Sequence, residues 1–205
     1  MKILAMNRGG LKPLKIGKRT TQTGHFKESV EGPVRVGLLG LEGDAIGNAR
    51  HHGGPDQAVY VYSAEDYAWW VRELGRELSF GTFGENLTVD QMAPARIGDI
   101  WECGPVRLQL TAPRIPCATL AARMGDPGFA RRFAQVNRGG AYARVLRPGL
   151  LEAGQIIRVT PGDGPLVDDL FALWHEPVKD PELLRAGLAA PLAERARAAF
   201  LHWLG

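Results

Sequence analysis

The segment Ala112-Pro-Arg-Ile-Pro-Cys117 sets a cysteine in a loop stiffened by two prolines, with Arg114 three residues before it. A guanidinium near a thiol favours the thiolate, the form that attacks electrophiles and ligates metals. The competing reading of these residues is a buried structural cysteine beside an ordinary turn. The second cysteine, Cys103, stands in Trp-Glu-Cys-Gly before a strand turn and reads as structural.

Three further segments carry groups suited to an anion or a polar ring. In Arg50-His-His-Gly-Gly-Pro-Asp56, the adjacent Gly53 and Gly54 let backbone N–H groups approach an anion, and His52 is placed to donate to the same ligand. His51 and His52 do not suit one metal, because neighbouring side chains diverge on extended backbone. In Phe80-Gly-Thr-Phe-Gly-Glu-Asn-Leu87, Glu85 and Asn86 offer polar groups on a tight loop, and the Asn86 amide matches the edge of a pterin or purine. Thr21-Gln-Thr-Gly-His-Phe-Lys-Glu-Ser29 adds Lys27 and Ser29 as anion contacts. Each segment taken alone also reads as a plain glycine turn or exposed loop.

Short strands must position these loops. Val34, Val36 and Leu38 alternate with polar or small residues, as do Val106, Leu108 and Leu110; Ala58–Tyr62 and Ile156–Val159 are short apolar runs. Dense Gly/Pro turn signals between such strands predict a barrel or folded-over sheet, a mainly β fold with peripheral helices. Ser63-Ala-Glu-Asp66 predicts a helix start leading into Tyr67–Leu74, and Asp126-Pro127 predicts another over Gly128–Val136. The helices do not alternate regularly with strands, so no βαβ unit is expected. Beyond the linker-like Pro161-Gly-Asp-Gly-Pro165, three helices are predicted: one carrying Leu166, Leu170, Leu173 and Trp174, one starting at Asp180-Pro181, and one opened by Pro191 with Leu192, Ala196, Phe200 and Leu204 on a face. This gives a β-barrel domain over 1–160 and a three-helix subdomain over 161–205. Three short helices cannot hold a core alone, so the tail is expected to pack on the main domain or on a second subunit, as in a homodimer.

The 205 residues are 45% hydrophobic and 23% charged, which excludes a disordered chain. No stretch of about 18 apolar residues lacks charges, so no membrane span is expected, and the start lacks the apolar core of a signal peptide. Two cysteines make no disulfide framework, and free thiols point to the cytoplasm. Net charge is +3, but residues 1–35 hold eight basic side chains against two acidic ones. That bias suits an anionic partner. The charges lack interleaved aromatic residues for base stacking, so nucleic acid is disfavoured and a small anionic ligand fits at least as well.

The ordered set Gly40-Leu-Glu-Gly-Asp44, His52-Gly-Gly-Pro-Asp-Gln-Ala-Val-Tyr60, Phe83-Gly-Glu-Asn-Leu87 and Pro113-Arg-Ile-Pro-Cys117 resembles the MOSC domain family. With its helical tail, the whole chain resembles the YiiM-type branch of that family. The resemblance implies a MOSC-type β-barrel that binds molybdenum cofactor (molybdopterin) and reduces N-hydroxylated compounds such as 6-N-hydroxylaminopurine; no pyridoxal phosphate is expected. It places Cys117 as the molybdenum ligand. A thiolate is a soft donor suited to such a metal. Arg114, Lys27 and the Gly53–Gly54 backbone would then hold the cofactor's phosphate, with Ser29, Asn86 and His52 as further contacts and His52 or Glu85 as proton source. His51 duplicates the motif histidine, and Gln91-Met92-Ala93 replaces a glycine-containing turn often seen after the Asn loop.

Too few cysteines for an iron–sulfur cluster and no Gly-x-Gly-x-x-Gly fingerprint imply a separate electron donor, a flavin-type reductase. Three other readings stay open. The chain could carry cofactor or sulfur on Cys117 without catalysis. It could be a cysteine hydrolase using Cys117 with His52 or His25 as base, or it could bind nucleic acid.

Overall fold

Alternating apolar residues do build the strands. In a computed structural model describing residues 1–49, 52–92 and 94–205, Val106, Leu108 and Leu110 turn inward and are buried. Arg50, His51 and Ala93, which the sequence reading singled out or included in its motifs, lie outside the described residues.

The chain begins with β1 (Ile3–Arg8), the hairpin β2 (Lys12–Ile16) and β3 (Arg19–Thr23), then β4 (Glu28–Val30), β5 (Val34–Gly37) and β6 (Gly40–Leu41). A 3-10 turn at Pro55–Gln57 leads into β7 (Val59–Ser63) and helix α1 (Ala64–Leu74). Next come β8 (Leu87–Val89), β9 (Ile100–Cys103), β10 (Val106–Pro113), the short helices α2 (Ala118–Met124) and α3 (Phe129–Gln135), then β11 (Ala141–Arg147), β12 (Gly149–Leu151) and β13 (Ile157–Thr160). The tail is α4 (Val167–His175), α5 (Pro181–Ala189) and α6 (Glu194–Leu204). No helix among the described residues is long and apolar enough to cross a membrane.

The main sheet runs β13-β9-β10-β11-β7-β8-β1-β4, with β5, β6 and β12 in a small second sheet and β2–β3 as a separate ribbon. The class is mainly β with helices, as expected, but the main sheet is not a closed barrel. Among the described residues its two sides are joined by the Lys2–Ile156 bridge, with Ile3 N donating to Gln155 O at 2.9 Å, Gly154 N to Ile3 O at 2.7 Å and Ile157 N to Met1 O at 2.9 Å. The outer side of β1 is shared: its far half pairs with β4, and its start with the residues just before β13.

A second correction concerns connectivity. β7 and β8 pair in parallel, with Val61 opposite Leu87, and α1 lies between them in the chain. One βαβ crossover therefore exists without any regular alternation of helices and strands. The Ser63 cap is as read: its Oγ accepts from Asp66 N at 3.1 Å, and Gly75 closes α1 at φ 62°. Asp180 caps α5 with Pro181 at the first position. Pro191, by contrast, does not open α6. Ala193 N donates instead to Thr111 O of β10 at 2.9 Å, so the tail is tied to the sheet before the helix begins.

Two apolar clusters fill the interior. The larger joins sheet residues such as Val61, Leu87 and Leu108 to Leu170, Leu184 and Phe200 of the tail, so the tail helices share the core of the sheet. The second is aromatic: Tyr60, Tyr62, Trp70, Phe83 and Phe133 pack between β7 and helices α1–α3. Trp70 Nε1 donates to Tyr62 OH at 2.9 Å within it, which satisfies the buried indole.

Candidate functional site

β10 leads directly to the reactive loop. It lies between β9 and β11, and Arg114 N still donates to Gly140 O at 3.2 Å, so the strand holds the loop's first residue. The two prolines then keep the backbone extended until Cys117, which stands just before α2. Arg114 is only 3% exposed, and its guanidinium lies over the Tyr60 ring at 5.7 Å and the Phe133 ring at 5.6 Å. Packed there, it brings Nη2 to 3.9 Å from Cys117 Sγ, while Nη1 donates to Ile115 O at 3.3 Å.

Burial alone would raise the Cys117 thiol. A hydrogen bond donated by His52 and the positive charge of Arg114 outweigh it and hold the thiol down at about 6. Cys103, buried in β9 with no compensating charge, is pushed up to about 12. Alkylation of Cys117 by iodoacetamide is therefore expected to reach half its plateau rate near pH 6, with Cys103 silent. Arg114→Met should move that midpoint up by about one pH unit or more, read from rate against pH.

The opposite wall is built from the N-terminal loops. Lys27 is 8% exposed and ion-paired with Asp44. Burial pushes its ammonium down, and Asp44 offsets part of that. Asp44 also accepts from Gly9 N at 3.0 Å and from Asn86 Nδ2 at 2.9 Å. The Asn86 carbonyl oxygen accepts from Tyr60 N at 3.1 Å, so this amide is largely spent on joining Lys27's counter-ion to β7. His25 packs over Gly84, which sits at φ 84°; a Cβ there would come within 2.4 Å of His25 Nδ1. Burial, then Arg114, Lys27, Arg123 and His52, hold the imidazole well below its ordinary range, so it stays neutral at pH 7. Its Nε2 is buried with no protein partner.

These walls enclose a cleft of about 340 Å³. Of the residues predicted from sequence, Lys27, His52, Gly53, Asn86, Arg114 and Cys117 line it together. Ser29 and Gly54 are not among its lining. Ser29 Oγ donates to Asn7 Oδ1 at 2.8 Å on exposed β4, and Gly54 backs onto Arg195. Glu85 is fully buried away from the lining; its Oε1 accepts from Tyr67 OH at 2.7 Å, Gly81 N at 2.6 Å and Thr88 Oγ1 at 2.9 Å, and burial raises its carboxyl. That network fixes the Phe83–Gly84 turn beneath His25.

Sequence reasoning assigned no role to Asp44, Tyr60, Tyr142 or Arg195. Asp44 stood only as the last residue of the Gly40–Asp44 motif, with no partner assigned to it. Nothing in a periodic pattern links it to Lys27 seventeen positions earlier. Among the described residues, no group of three or more His, Cys, Asp or Glu side chains could hold a metal ion. A metal at Cys117 would therefore need further ligands of its own, as a cofactor-borne metal has.

The MOSC domain family model matches residues 48–158. Protein YiiM of Escherichia coli is 30% identical over 175 residues, covering 82% of this chain and 78% of that protein. A protein named "Reductase" from Gibberella moniliformis is 32% identical over 161 residues, which is 76% of this chain but 28% of that much longer protein. The crystal structure of YiiM from Geobacillus stearothermophilus superposes with a TM-score of 0.81 at 27% identity, covering 100% of this chain and 99% of that one. With motif loops, cleft and tail all in place, the chain belongs to the MOSC domain family and is of the YiiM type.

Proposed function

We propose that this protein is a molybdenum-cofactor-dependent reductase of N-hydroxylated compounds, 6-N-hydroxylaminopurine among them. The observation that carries this reading is Cys117, a thiol held at about 6 by His52 and Arg114 on the wall of a 340 Å³ cleft. The family to which the chain belongs and the relative named a reductase support it.

The residues present fit the cofactor. Cys117 offers a soft sulfur donor at neutral pH. Arg114 and Lys27 offer cationic donors to a phosphate, next to the Gly53 backbone; of the three N–H groups of Lys27, Asp44 takes one. The unpartnered Nε2 of His25 is a buried polar atom that a ring heteroatom would satisfy. The bound cofactor would supply the two-electron redox chemistry.

The chain's own residues bind and orient. Tyr60, Phe83 and Tyr142 give the cleft aromatic walls that limit water and suit a flat heterocycle. His52 donates a hydrogen bond to Cys117 and lines the same cleft, so it is the residue proposed to pass a proton to the reacting region. Reduction of R–NHOH to R–NH2 consumes two electrons and two protons and releases water. A separate flavin-type reductase is proposed as the electron source.

Protein isolated from a host that makes the cofactor should contain bound molybdenum and, with an artificial low-potential reductant, consume 6-N-hydroxylaminopurine. Molybdenum retained without substrate loss would favour a carrier. Full turnover of an ester or amide by metal-free protein would favour a cysteine hydrolase instead.

A further inference from the structure

One cation on the cleft wall lacks a counter-charge. Among the described residues, the lysine, arginine and acidic side chains that line the cleft are Lys27, Arg114, Arg19 and Asp44. Asp44 answers Lys27, and the Cys117 sulfur lies beside Arg114. The Arg19 side chain is exposed and has no ion-pair partner among the described residues. Its setting is cationic: residues 9–27 carry Lys12, Lys15, Lys18, Arg19 and Lys27 and no acidic residue. Lys12 is paired with Glu28 at 2.9 Å, whereas Lys15 and Lys18 stand exposed with Arg19 around the tip of the β2–β3 ribbon.

The register of the ribbon sets Arg19 on the cleft side. Arg19 pairs with Ile16 and Thr21 with Leu14, and directly opposed residues share a face. Ile16, Arg19, Thr21 and Thr23 all line the cleft, while Leu14 and Ile16 are half-buried, with β2 against α2. A two-stranded ribbon by itself is marginal in water. This one is pinned at its base, because Gly24 and Gly47 admit no Cβ: one would run into Ala45 O and the other into Gln22 O.

Arg19 stands four residues of extended strand, about 13 Å, from Thr23. The Thr23 hydroxyl takes His25 N at 3.1 Å, two residues before Lys27. A phosphate gripped by Lys27 and Arg114 therefore leaves Arg19 for a second anion. We infer that the mouth of the cleft is a second phosphate site, with Arg19 as its donor and the β2–β3 ribbon as its wall. The guanidinium fork matches two phosphate oxygens at once. Tyr60, Phe83 and Tyr142 line the same cleft and suit a flat ring, so the ligand that uses both features is a nucleotide. This inference rests on the reading of the cleft as a cofactor and substrate site. It leaves two carriers for the phosphate: a nucleotide substrate, or a nucleotide extension of the cofactor.

The test is calorimetric binding at low salt to the full chain isolated from a cofactor-making host, without reductant, so that nothing turns over. The probes are 6-N-hydroxylaminopurine riboside and its 5′-monophosphate. Wild type should hold the monophosphate about tenfold tighter, a preference that shrinks as salt is raised. Arg19→Ala should cut the preference to about twofold or less, and Arg19→Lys should keep part of it, since the charge remains and the fork is lost. In parallel, the cofactor released by denaturation is weighed by mass spectrometry. Equal affinities for the two probes, with a nucleotide-bearing cofactor and less molybdenum retained by Arg19→Ala, assign the phosphate to the cofactor. A preference that survives Arg19→Ala, or equal affinities with no loss of molybdenum in Arg19→Ala, overturns the site. Consumption of 6-N-hydroxylaminopurine on adding reductant is scored separately. An Arg19-dependent preference without consumption would sink the reductase reading and leave the phosphate site standing.

Discussion

Cys117→Ser is expected to lose molybdenum and N-hydroxyl reduction together while the protein stays folded. The side chain keeps its size, so packing is preserved. Its chemistry is not: a serine hydroxyl is un-ionised near neutrality and is a hard donor where the metal calls for a soft one. Replacing groups that merely support a metal ligand commonly costs 10–100-fold in affinity or activity, so losing the ligand itself should exceed about a hundredfold. Elemental analysis and substrate consumption should fall in parallel. Molybdenum retained at the wild-type level in the serine variant would end the proposed function.

The same pair of proteins has a pH signature in stability. The Cys117 thiol titrates at about 6 when folded and near the ordinary ~8.5 when unfolded. Between those values the unfolded chain binds the extra proton, so folding gains stability as pH rises through the window and loses it as pH falls through about 6. Thermal melts from pH 5.5 to 9 should show wild type gaining on Cys117→Ser over that range.

Asp44→Ala should be the most damaging change outside the core. It leaves Lys27 buried without its counter-ion and takes the acceptor from Gly9 N and Asn86 Nδ2. Breaking one side of a buried pair costs about 3–5 kcal/mol, which for a chain of this size is a fall in melting temperature on the order of 10 °C. Replacing both partners, Asp44→Leu with Lys27→Met, should recover much of the loss, because two apolar groups need no compensation. The recovered protein should still bind cofactor poorly, having lost the Lys27 ammonium. A single Asp44→Ala variant that melts with wild type would show that Lys27 does not depend on this carboxylate.

What the sequence made legible follows from what its patterns encode. Period-two alternation in Val106, Leu108 and Leu110 reports a strand half-facing a core, and Ser63 and Asp180 report helix starts, because both are local effects. Pairing order is not local. Nothing in Val59–Ser63 or Leu87–Val89 states that they lie in parallel, and nothing near Met1 says that the sheet stops short of full closure at Ile156. Helix α2 went unread because seven residues show only Leu120, Ala121 and Met124 as a buried face. In the site, Cys117 and Arg114 were readable as neighbours three residues apart. The Lys27–Asp44 pair and the hydrogen bonds of Arg195 to the carbonyls of Ala49 and Gly53 join loops and helix ends with no shared period, and only the fold reveals them.

The Lys2–Ile156 bridge also sets an order of events at birth. Lys2 is synthesised well before its partner, which follows about 150 residues later. Until then the start of β1 at Lys2 and Ile3, which β4 does not cover, presents unpaired backbone on its outer side, an invitation to wrong partners. Contacts so distant in sequence are slow to form, and translation proceeds at roughly 5–20 residues per second. The nascent chain must therefore spend many seconds with that short edge uncovered before its own partner can close over it.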